Sequence, residues 1–143
     1  MTPDVNVLLA AFRPDHPHHH PARHWIESAC ASCAAGHTTL VLLPMVAAGF
    51  LRLATNPRVF KQPDAIEAAV AFLDTLLATP GVEIAGEGEW PLLRSKLLAQ
   101  GLTANHVIDA WIAATTEALA EHLVSFDRGF QRLLPPSDLT LLP

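Results

Sequence analysis

The chain has 143 residues, half of them apolar, and a formal net charge of −5. That length suits one domain, residues 1–143, with a real core; the apolar share excludes a disordered chain, and no apolar run approaches the ~18–20 residues of a membrane span. The acidic balance excludes a broad basic face for duplex nucleic acid, but not a nuclease whose metal ions supply the positive charge. Cys30 and Cys33 give no disulfide framework, and no basic stretch precedes the first apolar segment. A cytoplasmic protein without a secretory signal is expected.

Met1 to Phe12 reads as a strand of three or four residues followed at once by an apolar helix, Val5-Asn6-Val7-Leu8-Leu9. Pro3 is awkward in a central strand. Asp4, at the junction, serves as well for a helix cap as for chemistry. Residues 13–21, RPDHPHHHP, form a loop with three prolines and four of the eight histidines. A helix over about 21–35 then buries Trp25, Ile26, Ala29, Cys30 and Cys33, and Gly36 ends it. The histidines and the CxxC invite a zinc or nickel reading. A structural zinc site wants two spaced ligand pairs, and a redox CxxC wants a helix N-terminus. Here one CxxC lies near a helix end on the apolar face, so core packing is expected for the cysteines and a solvated helix-entry loop for the histidines.

Thr38 to Leu43 reads as a buried strand, and Pro44 to Ala54 as a helix stopped by Asn56-Pro57. The next helix carries Ile66, Val70, Leu73 and Leu77 inward and closes at Pro80-Gly81. Val82-Glu83-Ile84 is a short strand, and Glu87 to Gln100 a helix with Trp90, Leu93, Leu97 and Leu98 inside. Glu87 and Glu89 suit the dipole at its start. Thr103 is placed to cap the helix that begins near Asn105. In that helix Val107, Trp111, Thr115 and Leu119 mark an apolar stripe, widened by Ile108 and Ile112, and Asn105, Asp109 and Ala113 share another face. HLVSF reads as a strand, with Asp127 just past it and Ser125 pointing the same way. A short helix over 128–134 and a last strand over 139–142 complete the chain. Strands alternating with helices call for a parallel sheet covered on both faces.

Asp4 and Asp127 both follow strands at their carboxyl ends, where open α/β sheets place ligands. If those strands are neighbours, the two carboxylates converge, and Asp109 reaches them from its helix. Such a cluster repels itself unless a cation joins it. Hard cations such as Mg²⁺ or Mn²⁺ prefer carboxylate oxygens, and a site of this kind activates water and stabilises charge on a phosphate. No Gly-rich phosphate loop, GxSxG elbow or Ser/His/Asp set stands out.

At this point the residues carry a resemblance. Asp4-Val5-Asn6-Val7-Leu8-Leu9 resembles the opening of PIN-domain ribonucleases. Asp15-His16-Pro17-His18-His19, Gly49-Phe50-Leu51-Arg52 with Thr55-Asn56-Pro57-Arg58, Asp109-Ala110-Trp111-Ile112-Ala113-Ala114 and Ser125-Phe126-Asp127-Arg128-Gly129-Phe130 resemble the VapC toxin branch. The likeness covers essentially the whole chain, in order. It implies a three-layer α/β/α sandwich with a central parallel sheet of about five strands. It also implies a Mg²⁺- or Mn²⁺-dependent endoribonuclease toxin, held inactive by a VapB-type antitoxin and often dimeric. Asp4 and Asp109 would be the principal catalytic metal ligands, with Asp127 completing the acidic site. Asn6 and Ser125 would orient the acids or bound water, and Arg52 is the cation placed to meet RNA. Arg13, Arg58, Lys61 and Arg128 are further candidates for phosphate contact. One departure matters: the family's glutamate early in the helix after the second strand has no counterpart here. The region reads Met45-Val46-Ala47-Ala48-Gly49, and no carboxylate exists between Glu27 and Asp64. This motivates an alternative, a degenerate PIN module that binds RNA or a partner without cutting.

Overall fold

A computed structural model describes residues 1–3, 5–86, 89–120, 123–125 and 128–141. Asp4, Glu87 and Asp127 lie outside the described residues, as do His122, Phe126 and Leu142 of the expected strands. Ser125 contributes its backbone to a strand, but its side chain also falls outside the description.

The first helix, α1 (Val5–Phe12), is almost wholly apolar and buries Leu8, Leu9, Ala10 and Ala11. It packs against α2 (His19–Ala34) and α3 (Pro44–Ala54). The start of α2 precedes Pro21 by two residues, and Trp25 on its expected inner face is 37% exposed. Pro44 sits in the first turn of α3 with an extended Leu43 before it, a start that a fixed proline φ favours. Two small parallel pairs of strands are present among the described residues. In one, β1 (Leu40–Leu42) pairs with β2 (Val82–Ile84), Leu40 opposite Val82. In the other, β3 (Leu123–Ser125) pairs with β4 (Leu139–Leu141), Leu123 opposite Leu139. The expected N-terminal strand is reduced to a pairing at Met1. Its amino group donates to the Thr39 carbonyl at 2.8 Å, and the Val41 N–H donates back to the Met1 carbonyl at 2.8 Å. These bonds use the edge of β1 opposite β2, so the chain's start lies alongside β1.

Most of the apolar surface meets in one core. Leu8, Leu40, Leu42, Phe50, Leu51, Val70, Leu73, Leu97 and Val107 are its fully buried large side chains. Phe12, Phe50 and Phe72 stack about one another with ring centroids 5.3–5.5 Å apart, joining α1, α3 and α4 (Ile66–Leu77). The α1–α3 crossing is tight because Gly49 faces Val5: a Cβ built on Gly49 would lie 3.0 Å from Val5 Cγ2.

The last two helices, α5 (Glu89–Gln100) and α6 (His106–Ala118), pack together. The inward face of α6 follows the expected stripe only in part, with Ile108 and Trp111 packed against the core. It buries Val107, Ala110, Ala113, Ala114 and Thr116, while Ile112 is 39% and Leu119 64% exposed. Small alanines take the inner face because they let α6 approach its neighbours closely. The expected Thr103 side-chain cap is also absent: His106 N–H meets the Thr103 backbone carbonyl, and the Ala104 N–H is taken by the Thr55 hydroxyl at 2.8 Å. Glu89 does more than favour a dipole. Its carboxylate accepts from the Trp111 indole at 3.2 Å, tying α5 to α6. A second, smaller cluster packs Phe130, Leu133 and Leu134 onto Ala113.

Candidate active site

Asp109 lies in the first turn of α6, half-buried, held by the sunken Val107 and Ala110 on either side. Its Oδ2 is 3.5 Å from His106 Nδ1 across one turn. At that distance the contact is weak, so among the described residues the carboxylate oxygens keep free capacity. Asp109 opens into a cleft of about 190 Å³ with Gln100, His106, Gly129 and Arg132 around it and Leu102 and Leu133 beneath.

The C-terminal wall of that cleft is fastened by two long side chains of α5. The Lys96 ammonium donates to the Leu133 carbonyl at 2.7 Å and pairs with Glu117 at 2.7 Å. The Gln100 amide donates to the Arg132 carbonyl. A short 3-10 helix, Arg128–Arg132, is thereby laid beside α6, and Gly129, two residues past Asp127, faces Asp109. Val5, next to Asp4 in sequence, rests on Gly49 of α3, and α3 packs in turn against α6.

The remaining predicted residues are distributed as follows. Asn6 is exposed on α1 and lines a separate cleft with His16 and His18. Arg52 is half-buried in the last turn of α3, where a cation suits the helix dipole. Arg58, Lys61 and Arg128 are exposed. Arg13 is a correction: it is 7% exposed and committed elsewhere, paired with Asp15 at 2.8 Å and Asp64 at 2.5 Å and stacked 3.8 Å over the Phe60 ring. It braces the loop and has no guanidinium to offer a phosphate.

Among the described residues, no group of three or more His, Cys, Asp or Glu side chains comes together to hold a metal ion. The chemistry of Asp109 suits a hard cation, since it offers oxygen donors in a wet cleft. Its described neighbour His106 is a softer donor, so further oxygens have to come from other acids. The third helix supplies none. Ala47 and Ala48 are fully buried, and Val5 lies against Gly49 where a side chain would begin. Cys33 is buried and Cys30 half-buried; burial pushes the Cys30 thiol pKa up, opposite to what a metal ligand or redox thiol needs.

Sequence reasoning missed Gln100, His106 and Arg132 as neighbours of Asp109. His106 carries a readable pattern, three residues before Asp109 on one helix face. Gln100 and Arg132 carry none, because only the folded chain brings them to the cleft.

Comparison with known proteins finds matches along nearly the whole chain. The PIN-domain family model matches residues 1–133. Ribonuclease VapC31 of Mycobacterium tuberculosis is 36% identical over 133 residues, covering 90% of this chain and 89% of the relative. Ribonuclease VapC25 of the same organism is 35% identical over 133 residues, with the same coverage. VapC ribonuclease Mb2897 of Mycobacterium bovis is 36% identical over 131 residues, 90% of this chain and 86% of the relative. The chain therefore belongs to the PIN-domain family, in its VapC ribonuclease branch.

Proposed function

We propose that this protein is a divalent-metal-dependent endoribonuclease, the toxin of a toxin–antitoxin pair, cutting single-stranded or loop RNA in the cytoplasm. The observation that carries the reading is its 36% identity to ribonuclease VapC31 across 133 residues. The Asp109 cleft supports the placement of the site. It sets one predicted acid beside the segment that leaves another, with an exposed arginine on the rim. In this reading Asp4, Asp109 and Asp127 hold Mg²⁺ or Mn²⁺, and Asn6 and Ser125 orient the acids or bound water. Such an ion supplies a water nucleophile at neutral pH and neutralises charge on the phosphate. Arg132 and Arg52 are the cations offered to the strand. The N-terminal segment and the two strand pairs belong to one five-stranded parallel sheet within an α/β/α sandwich, and residues 1–143 form one domain. A VapB-type antitoxin is the protein partner, and the toxin is a homodimer.

RNA cleavage by the wild type, Asp4→Ala and Asp109→Asn in Mg²⁺ or Mn²⁺, with EDTA as control, tests this. Cleavage should need the metal and fall at least about a hundredfold in either variant while the circular dichroism spectrum is kept. Cleavage that survives EDTA and both substitutions would overturn the metal mechanism. RNA binding without cleavage at any metal concentration would instead establish the non-cutting alternative.

A further inference from the structure

The loop between α1 and α2 is a braced element. Arg13 ties its start to Asp15 and Asp64 and donates to the Gln62 carbonyl at 3.3 Å. At its end the buried His19 places Nδ1 2.9 Å from the Ala10 carbonyl, the geometry of an Nδ1–H donor. Pro14 and Pro17 stiffen what lies between. Two imidazoles stand out from this frame. His16 is half-buried, His18 is exposed, and their ring centroids are 5.8 Å apart. The His18 backbone N–H donates to His16 Nδ1 at 3.1 Å. A backbone N–H needs an unprotonated acceptor, so His16 carries its proton on Nε2 and presents it as a donor. Both rings line a cleft of about 250 Å³ with Asn6 and an apolar floor of Val7, Ala10 and Ala22.

We propose that this cleft binds the RNA strand beside the acidic site, with the His18 ring stacked on an unpaired base, the His16 Nε2–H donating to a strand oxygen, and the Asn6 amide completing the wall. The inference rests on the ribonuclease reading and adds where the strand runs. The chemistry fits RNA for three reasons. Aromatic rings, histidine included, are the usual platforms for splayed-out bases. A neutral donor and an amide recognise strand oxygens without needing a basic surface, which a chain of net charge −5 lacks. A loop already held in place loses little conformational entropy when it binds. Asn6, which lines the cleft, stands two residues from Asp4 in the sequence, the link on which the placement beside the acidic site rests.

The test pairs fluorescence anisotropy with a labelled single-stranded RNA in EDTA with steady-state cleavage in Mg²⁺. The proteins are the wild type, the double variant His16→Ala/His18→Ala, His18→Ala, His18→Phe and His20→Ala. His20 is exposed on the same turn but does not line the cleft. We expect Kd and KM to rise about tenfold in the double variant with kcat held within about twofold. His18→Ala should give part of that loss, His18→Phe should bind close to wild type, and His20→Ala should change nothing. Wild-type affinity in the double variant, a fall in kcat with KM unchanged, a His18→Phe variant as weak as His18→Ala, or an equal loss in His20→Ala would overturn the proposal. Because His18 is exposed, its single substitutions keep the test valid should the double variant fold poorly. Wild-type cleavage that ignores the histidines defeats the cleft alone. Histidine-dependent binding without cleavage defeats the ribonuclease reading and keeps the cleft. A wild type that does not bind RNA removes both.

Discussion

Arg13→Ala should destabilise the protein by about 3 kcal/mol, and the structure says where that sum arises. The guanidinium meets Asp64 at 2.5 Å, and a hydrogen bond to a charged partner is worth roughly 1.5–3 kcal/mol. The Asp64 side chain is 31% exposed, which places this pair at the lower end of that range. Stacking over Phe60 at 3.8 Å adds roughly 0.5–1 kcal/mol. The Gln62 carbonyl loses its donor, at a cost of about 1 kcal/mol. Asp15 is 68% exposed, so its pairing adds little despite good geometry. Urea unfolding of Arg13→Ala, Asp64→Asn and Asp15→Asn at neutral pH measures this. Arg13→Ala should lower the midpoint without changing the slope, Asp64→Asn should give most of the loss, and Asp15→Asn little. Arg13→Ala costing under about 1 kcal/mol, or Asp15→Asn matching Asp64→Asn, would refute the reasoning. The acid limb has a definite sign. The hydrogen bond from Arg13 holds the Asp15 carboxyl below its ordinary pKa. Whatever stability that shift gives is present above the ordinary aspartate range and disappears as pH falls through the lowered value, so the small difference between wild type and Asp15→Asn should close on acidification.

Two further outcomes follow from backbone and burial. Gly81 has φ +79°, and a Cβ there would lie 3.0 Å from the Cys33 carbonyl oxygen, whereas Gly36 has φ +75° with nothing within 4 Å. Gly81→Ala should cost about 2–3 kcal/mol and Gly36→Ala about 1 kcal/mol in thermal unfolding; equal costs would show that the contact with Cys33 contributes nothing. Cys30, its thiol pKa raised by burial, should react with iodoacetamide more slowly than a free cysteine at pH 8, and the buried Cys33 only on unfolding. Fast alkylation of Cys33 in the native protein would contradict its place in the core.

What the sequence made legible is what punctuation and periodicity encode. The bounds of α3 and β2 are read correctly because Pro44, Asn56-Pro57 and Pro80-Gly81 mark them in the chain itself. The inner face of α6 is legible only in part: Val107 is buried and Ile108 and Trp111 pack against the core as read, but hydropathy overrates Ile112 and Leu119 and passes over the alanines, which packing selects for small size. The commitment of Arg13 is not legible either, since Asp64 is 51 residues away. Of the candidate site, Asp109 is singled out by its motif and helix face, but the cleft beside it depends on Lys96 and Gln100 reaching carbonyls more than 30 residues on. Local patterns carry local structure; tertiary partners of long side chains leave no spacing to read.

The seam between α1 and α3 constrains anyone who would restore the missing acid. A glutamate at position 47 would enter a spot with no solvent at all, and one at position 49 would have to displace Val5 before its carboxylate could be placed. A carboxylate at position 49 therefore calls for a matched trimming of Val5, and one at position 47 for room that the buried Ala47 does not have. Either single substitution to glutamate should yield a misfolded or strained protein sooner than a better nuclease.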